Sequence, residues 1–107
     1  MRHIAAMDAA FAALADPTRR RVLAMLRTGE RSAGEIERTL RAPQPAVSKH
    51  LRALRQAGLV RVRKDAQRRL YSLDPEPLAE LDAWLAPYRR FWGERLDALE
   101  RHLDEES

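Results

Sequence analysis

Cysteine is absent from the sequence, aromatic residues make up only 6% of it, and it contains no long apolar run. The missing thiols exclude disulfides, thiolate metal sites and cysteine nucleophiles, and they fit a reducing compartment. An Ala-rich segment after Arg2 shares features with a secretion signal, but Asp8 interrupts it and alanine forms a poor apolar core. We therefore expect an amphipathic first helix, no membrane span and a cytoplasmic protein. A length of 107 residues suits a single domain, residues 1–107.

Acidic residues are scarce in the first two thirds of the chain. Residues 1–73 contain 16 Lys and Arg against 6 Asp and Glu, a net charge of +10, whereas residues 74–107 contain 4 against 10, a net charge of −6. A basic body with an acidic tail indicates a polyanionic partner, from which the tail is held away. Only Lys49 and Lys64 are lysines, and the forked guanidinium of the other cations suits phosphates and guanine edges.

Helix start signals place much of the secondary structure. Asp16-Pro17 and Asp74-Pro75 each combine an N-cap residue with proline at the first helical position, and Ser32-Ala33-Gly34-Glu35 has the capping-box spacing. A further helix is predicted from about residue 44 to residue 57. Two short alternating runs around a polar turn at residues 64–68 then predict a β-hairpin.

A helix, a short helix-turn-helix, a hairpin and a long helix, in this order, predict a mainly α-helical chain with a winged helix-turn-helix fold. We expect residues 1–15 to form an N-terminal dimerisation helix, residues 16–73 the DNA-binding core and wing, and residues 74–107 a C-terminal dimerisation region. Pro87 lies inside that last region. Its ring and its missing N–H predict that the helix is kinked or split there.

The helix over residues 44–57 carries an apolar stripe made by Val47, Leu51 and Leu54. Its opposite side carries hydrogen-bond donors and no acid. A solvated helix face usually mixes charges of both signs, and this helix also follows a three-residue turn after a short helix and precedes the predicted wing. Together these features favour a recognition helix in the major groove of DNA over a merely hydrated surface. The residues predicted to contact DNA from this helix are Gln44, Pro45, Ser48, Lys49, Arg52 and Arg55.

Cations also cluster around the turn of the predicted hairpin, at Arg63, Lys64, Arg68 and Arg69. A wing of this charge would contact phosphates or the adjacent minor groove. Positive charge also protects an edge hairpin from aggregation, and both roles can hold together.

Arg19 and His50 lie toward the apolar sides of their helices. We expect Arg19 to form a structural ion pair, with Glu35 as the candidate partner, because three successive cations in a first helical turn oppose the helix dipole. His50 is interpreted as a packed, hydrogen-bonded histidine and not as a metal ligand or a pH sensor.

The chain resembles the ArsR/SmtB family of winged-helix transcriptional repressors over roughly residues 10–75. Four segments carry the resemblance: LADPTRRRVLAML, SAGEIERTL, QPAVSKHLRALRQAGLV and the Tyr71-Ser72-Leu73 strand. The closing WLAPYRRFWGERLDALERHL resembles a metal-independent branch described as autorepressors. The resemblance implies a homodimer joined by its first and last helices, an inverted-repeat operator in double-stranded DNA, and release by a small-molecule or protein inducer. It also implies a phosphate contact at Ser32 and base contacts at Gln44, Pro45, Ser48 and Lys49.

Three departures from the family pattern are visible. Pro43 replaces the usual Ser N-cap of the recognition helix, so a capping hydrogen bond is lost. Ala66 stands where Gly is common in the wing turn, which argues against a tight turn with positive φ. The family's metal sites are incomplete, because the helix around Glu35 lacks cysteine and residues 102–105 match only half of an interfacial zinc site. We therefore expect no metal and no other cofactor.

Apolar residues of the first and last helices exceed what one small domain can cover. A second copy presenting the same surface would cover them, although the last helix could instead fold back on its own chain at Pro87. The residues predicted to form this interface are Phe11, Leu14, Leu81, Trp84, Leu85, Tyr88, Phe91, Trp92, Leu96 and Leu99.

An enzyme is not predicted, because no nucleophile–base arrangement, phosphate loop or carboxylate pair emerges from the sequence. The alternative function is a protein-interaction module that uses the aromatic last helix. That alternative leaves the basic recognition face and the wing unexplained, so the sequence favours a sequence-specific DNA-binding repressor.

Overall fold

Helices dominate the chain, and three short strands form a small sheet beside them. The computed structural model describes residues 2–106, with side chains from residue 7 onward. The helices are α1 (Arg2–Leu14), α2 (Pro17–Leu26), α3 (Ala33–Leu40), α4 (Gln44–Gln56) and α5 (Pro75–Glu106). The strands are β1 (Arg31–Ser32), β2 (Val60–Asp65) and β3 (Arg68–Leu73). This order is the predicted winged helix-turn-helix, with α4 in the recognition position and β2–β3 as the wing.

Side-chain caps fix where α2 and α3 begin. The Asp16 carboxylate accepts hydrogen bonds from the backbone N–H groups of Thr18 and Arg19, at 2.8 and 3.1 Å. At α3 the Ser32 hydroxyl accepts from the Glu35 N–H and the Glu35 carboxylate accepts from the Ser32 N–H, each at 3.2 Å. The bond from the Ser32 backbone holds the pKa of Glu35 below its usual range. These two predicted caps are confirmed, and at the start of α5 the predicted cap Asp74 likewise accepts from the Glu76 N–H at 3.1 Å. Each cap satisfies N–H groups that a helix leaves unpaired.

The recognition helix α4 begins without a side-chain cap. Pro43 occupies the N-cap position with extended backbone and makes no side-chain hydrogen bond, as the sequence predicted. At the other end the chain turns at Gly58, whose φ of 77° suits a residue without a Cβ. Helix α4 is therefore held by its packed face more than by its ends.

One apolar core joins α2, α3 and α4 to the sheet. The largest fully buried side chains come from α2, α3, α4 and the segment before β2, and they are Val22, Ile36, Val47, Leu54 and Leu59. Tyr71 of the sheet, Leu81 of α5 and two alanines of α1 belong to the same cluster. Burial of one such aliphatic side chain contributes about 1.5–3 kcal/mol, so this cluster fixes how α4 sits on the domain.

The sheet has a third strand that the sequence did not reveal. Strand β1 pairs antiparallel with β3, with Arg31 opposite Tyr71 and Ser32 opposite Leu70, and the strand order is β1-β3-β2. The prediction of a hairpin alone was incomplete, because a strand of two residues is too short to show an alternating pattern. The third strand places the loop before α3 against the wing.

The wing turn adopts the conformation that the sequence argued against. Ala66 has a φ of 55°, and among the described residues only Arg41 is another non-glycine residue with positive φ. The expectation drawn from a missing glycine was therefore wrong. The two-residue connection between β2 and β3 requires the left-handed backbone, and Ala66 adopts it at a cost because its Cβ approaches the following carbonyl.

Helix α5 runs without a break from Pro75 to Glu106, and Pro87 lies inside it. The alternative of a helix split at Pro87 is therefore wrong. Proline removes one hydrogen bond of the helical ladder, and the bonds on either side continue the helix. The N-terminal part of α5 packs through Leu78 and Leu81 on the core, whereas the rest carries exposed apolar side chains and extends the molecule to 62 Å in its longest dimension.

We predict that Ala66→Gly stabilises the protein. Glycine removes the left-handed strain, which exceeds the entropy that glycine adds to the unfolded chain, so the free energy of unfolding should rise by about 0.5–1 kcal/mol. Urea unfolding followed by circular dichroism measures this change. Gln67→Gly is the matched control, because Gln67 has no positive φ and its replacement should only destabilise. Equal effects from the two variants would contradict the strain at Ala66.

Candidate nucleic-acid interface

Helix α4 separates its side chains into a buried face and an exposed face. Val47, Leu51 and Leu54 are buried in the core. The six predicted contact residues, which are Gln44, Pro45, Ser48, Lys49, Arg52 and Arg55, are all exposed. The structure thus brings the whole predicted recognition set onto one solvent-facing surface.

The cations of this surface have no acidic partner. Within the described side chains, no carboxylate forms an ion pair with Lys49, Arg52 or Arg55. A free guanidinium or ammonium on a rigid helix retains all its donors for the acceptors of a base or a phosphate. We refer to the exposed side of α4 defined by the six residues above as the donor face.

The two faces of the wing differ in charge balance. Lys64 pairs directly opposite Arg69, and Val62 pairs opposite Tyr71, so these four side chains share one face of the β2–β3 hairpin. Tyr71 is buried on that face beside α4, and Arg69 lines a cleft together with Arg52 and Arg55. Lys64 and Arg69 have no acidic partner in the part of the chain that the structure describes. This face therefore continues the donor face of α4.

The other two predicted wing cations are both paired with acids. Arg63 donates through Nε to Glu30 Oε2 at 3.0 Å and through a second nitrogen to Glu30 Oε1, a bidentate pair. Arg68 donates to Asp65 at 3.3 Å. The Arg63 guanidinium holds the pKa of Glu30 below its usual range, so Glu30 is ionised at neutral pH. Sequence reasoning missed Glu30, and only the pairing of β1 with β3 could have indicated that it approaches the wing.

Ser32 is 9% exposed and serves as the N-cap of α3. It lies on the wall of an open cleft whose other side is formed by the wing residues Gln67, Arg68 and Arg69. Its hydroxyl oxygen accepts the Glu35 N–H, which leaves the hydroxyl proton as the group that a phosphate could use. The phosphate contact at Ser32 stays a prediction.

Arg19 joins α2 to the recognition helix. Its Nε donates to His50 Nδ1 at 3.3 Å, and Asp16 lies 4.0 Å from the same nitrogen. The predicted pair of Arg19 with Glu35 was wrong, because Glu35 is occupied by the capping box at the start of α3. His50 is half-buried and hydrogen-bonded as predicted. The backbone N–H of Arg19 is the main cause that holds the pKa of Asp16 below its usual range.

Most of the predicted dimer residues are exposed along α1 and α5. Trp84 packs edge to face on Phe11 with ring centroids 5.5 Å apart, which fixes α1 against α5. Leu14 is half-buried. Leu81 was predicted to lie in the dimer interface, but it is only 6% exposed because it packs in the core of its own chain. The exposed members of the predicted set are Phe11, Trp84, Leu85, Tyr88, Phe91, Trp92, Leu96 and Leu99, and Leu103 continues them.

Neither a metal cluster nor a membrane span is found in the described part of the chain. No group of three or more His, Asp and Glu side chains among residues 7–106 is arranged to hold a metal ion. None of the described helices combines the length and the apolarity that crossing a membrane requires.

Comparisons with known proteins identify relatives across nearly the whole chain. A helix-turn-helix domain family matches residues 14–63. The chain is 42% identical over 99 residues to the HTH-type transcriptional regulator Rv2034 of Mycobacterium tuberculosis, which covers 92% of this chain and 90% of the relative. It is 34% identical over 79 residues to the transcriptional repressor SdpR of Bacillus subtilis, which covers 74% of this chain and 88% of that protein.

Solved structures agree with the sequence relatives. The crystal structure of an ArsR family transcriptional regulator superposes with a TM-score of 0.74 at 33% identity, covering 82% of this chain and 97% of the other. An ArsR-like transcriptional regulator from Rhodococcus sp. RHA1 superposes with a TM-score of 0.74 at 30% identity, covering 94% of this chain and 95% of the other.

Proposed function

Because the chain belongs to the ArsR/SmtB family of winged-helix transcriptional regulators, we propose that it is a homodimeric repressor that binds an inverted-repeat operator in double-stranded DNA. It is a DNA-binding regulator and not an enzyme. It acts in the cytoplasm, and an inducer, either a small molecule or a protein, relieves repression.

The donor face of α4 is the observation that supports DNA binding most directly. Its cations have no acidic partners in the described chain, while the apolar face of the same helix is buried. The major groove admits an α-helix, and Lys49 and Arg52 suit the acceptors of guanine there. Lys64 and Arg69 extend the basic surface toward flanking phosphates, so base contacts and backbone contacts come from different elements.

Footprinting on the DNA upstream of the protein's own gene tests the proposal. We expect a protected segment with two related half-sites, and binding that weakens steeply as salt rises because phosphate contacts release counterions. Nuclease-treated protein with no salt-sensitive affinity for any DNA would favour the protein-interaction alternative.

Helix and wing variants should have different effects on that footprinted site. We predict that Lys49→Ala or Arg52→Ala lowers specific affinity by about 1–3 kcal/mol and relaxes base preference at one position per half-site. Lys64→Ala combined with Arg69→Ala should weaken all sequences similarly and flatten the salt slope by about 1.8 per protomer. Fluorescence anisotropy titrations on the site and on half-site variants measure both quantities.

Arg90→Ala is the matched control for these variants. It removes one positive charge from an exposed position on α5, away from the donor face. A wing variant that changes base preference, while the helix variants do not, would contradict the assignment of roles.

Dimerisation is supported by the length of apolar surface that α5 leaves uncovered. Trp92, Leu96 and Leu99 are 60%, 61% and 54% exposed, although they continue the same side of the helix as the buried Leu81. A two-fold partner that presents the same stripe would cover both copies, and the symmetry would place two recognition helices about one turn of DNA apart.

We predict that Trp92→Ala combined with Leu99→Ala yields monomers that stay folded and bind the operator poorly, since one half-site alone binds weakly. Sedimentation equilibrium and circular dichroism measure the assembly and the fold. Arg90→Ala combined with Asp97→Ala, on the opposite side of α5, should leave the dimer intact. An obligate dimer should be fully assembled at about tens of micromolar protein. Wild-type protein that sediments as a monomer at that concentration would refute the dimer.

Metal ions are predicted to leave DNA binding unchanged. The chain has no cysteine, and the half-site of residues 102–105 lacks its partner ligands. Operator affinity measured with micromolar zinc, cadmium or arsenite should therefore equal the affinity measured with a chelator. Loss of binding on addition of one of these ions, restored by the chelator, would show that a metal site exists.

A further inference from the structure

The Glu30–Arg63 pair connects the segment before β1 with strand β2, which are separated in the sheet by β3. Glu30 precedes β1, whereas Arg63 lies in β2 on the far side of the central strand β3. Ser32 and Arg63 both pair with Leu70, so the bidentate Glu30–Arg63 contact spans β3 next to that residue. The contact therefore joins the outer strand of the wing to the loop before α3.

Arg63 also projects from the face of the wing opposite to Lys64 and Arg69. Successive residues of a strand point to opposite sides, and Arg63 shares its side with Leu70 while Lys64 shares the other side with Arg69. The cations of the two faces thus differ in partner, because the face beside α4 has no acid in the described chain and the other face holds Glu30. Arg63 still borders a cleft that Arg55, Lys64 and Arg69 also line.

We propose that Glu30 is a positioning residue that withholds Arg63 from the DNA, so that Arg63 does not join Lys64 and Arg69 in binding phosphates. The inference rests on the proposed DNA-binding function and goes beyond it, because it removes one cation of the basic wing from the contact set. Glu30 thereby sets how many phosphates each protomer neutralises.

Arg63 would gain little by leaving Glu30 for a DNA phosphate. A phosphate that replaced the carboxylate would give Arg63 a second bidentate partner in place of the first, with little gain. The released Glu30 carboxylate would then stand unpaired beside a polyanion, where like charges repel. Both side chains are part-exposed, at 58% for Arg63 and 33% for Glu30, so the pair matters less for folding than for the availability of Arg63.

Glu30→Gln tests the proposal, because it removes the charge and keeps the size of the side chain. The probe is a fluorescein-labelled duplex of mixed sequence and about 30 base pairs, whose binding reports phosphate contacts without base readout. We expect Glu30→Gln to bind more tightly than wild type and to steepen the plot of log affinity against log salt by about 0.9 per protomer. Between 50 and 200 mM salt that change corresponds to a loss of affinity that is larger by about 3.5-fold per protomer, or by about 12-fold for a dimer that binds through both protomers.

Glu37→Gln is the matched control for charge. It removes one negative charge from α3, and Glu37 forms no ion pair in the described chain, so it should raise affinity slightly without a comparable change of slope. The effect of Glu30→Gln should also disappear in an Arg63→Gln background, since the added contact is made by Arg63. Unfolding temperatures of all variants establish that each is folded.

The outcomes separate this inference from the proposed function. If wild-type protein shows no salt-sensitive affinity for the duplex, the proposed DNA-binding function is itself wrong. If wild type binds but Glu30→Gln weakens binding, or changes the slope no more than Glu37→Gln, then Glu30 does not withhold Arg63. Persistence of the Glu30→Gln effect in the Arg63→Gln background would also overturn the inference.

Discussion

Burial of the apolar side of α4 is the constraint on which the rest of the interface depends. Val47 and Leu54 are almost inaccessible, and they pack in one cluster with Ile36 of α3 and Leu59 before β2. A helix that is anchored along one side cannot rotate, so its other side must face solvent. Since α4 lacks an N-terminal side-chain cap, this packing also supplies much of the stability that a cap would otherwise give.

The wing is held by different forces at its two ends. At its base, Tyr71 packs in the core and β1 pairs with β3, so the sheet is fixed to the helices. Near its tip the contacts are ionic and exposed, and each tested alone would contribute little to stability. These ion pairs instead determine which cations of the wing remain without an acidic partner. One side of the hairpin carries unpaired cations in the described chain, and the other side carries cations that acids have neutralised.

Sequence reasoning succeeded where the signal was local. The caps at Asp16 and Ser32, and the two sides of α4, follow from residues a few positions apart, and the structure agrees. It failed where distant parts of the chain meet. Strand β1 and the Arg63–Glu30 pair depend on contacts across the sheet, and Arg19 binds His50 because Glu35 is already used. Ala66 shows a third kind of failure, since a two-residue connection overrode the preference of alanine for negative φ.

The replacement of nearly all lysine by arginine has a chemical consequence. Lys49 and Lys64 carry the only side-chain amines in the sequence, and both are exposed, one on the donor face and one on the adjoining face of the wing. Acylation of an amine removes its positive charge, whereas guanidinium groups do not react under the same conditions. Lysine acylation of this protein, enzymatic or spontaneous, can therefore change side-chain charge only on the donor face and on the adjoining face of the wing.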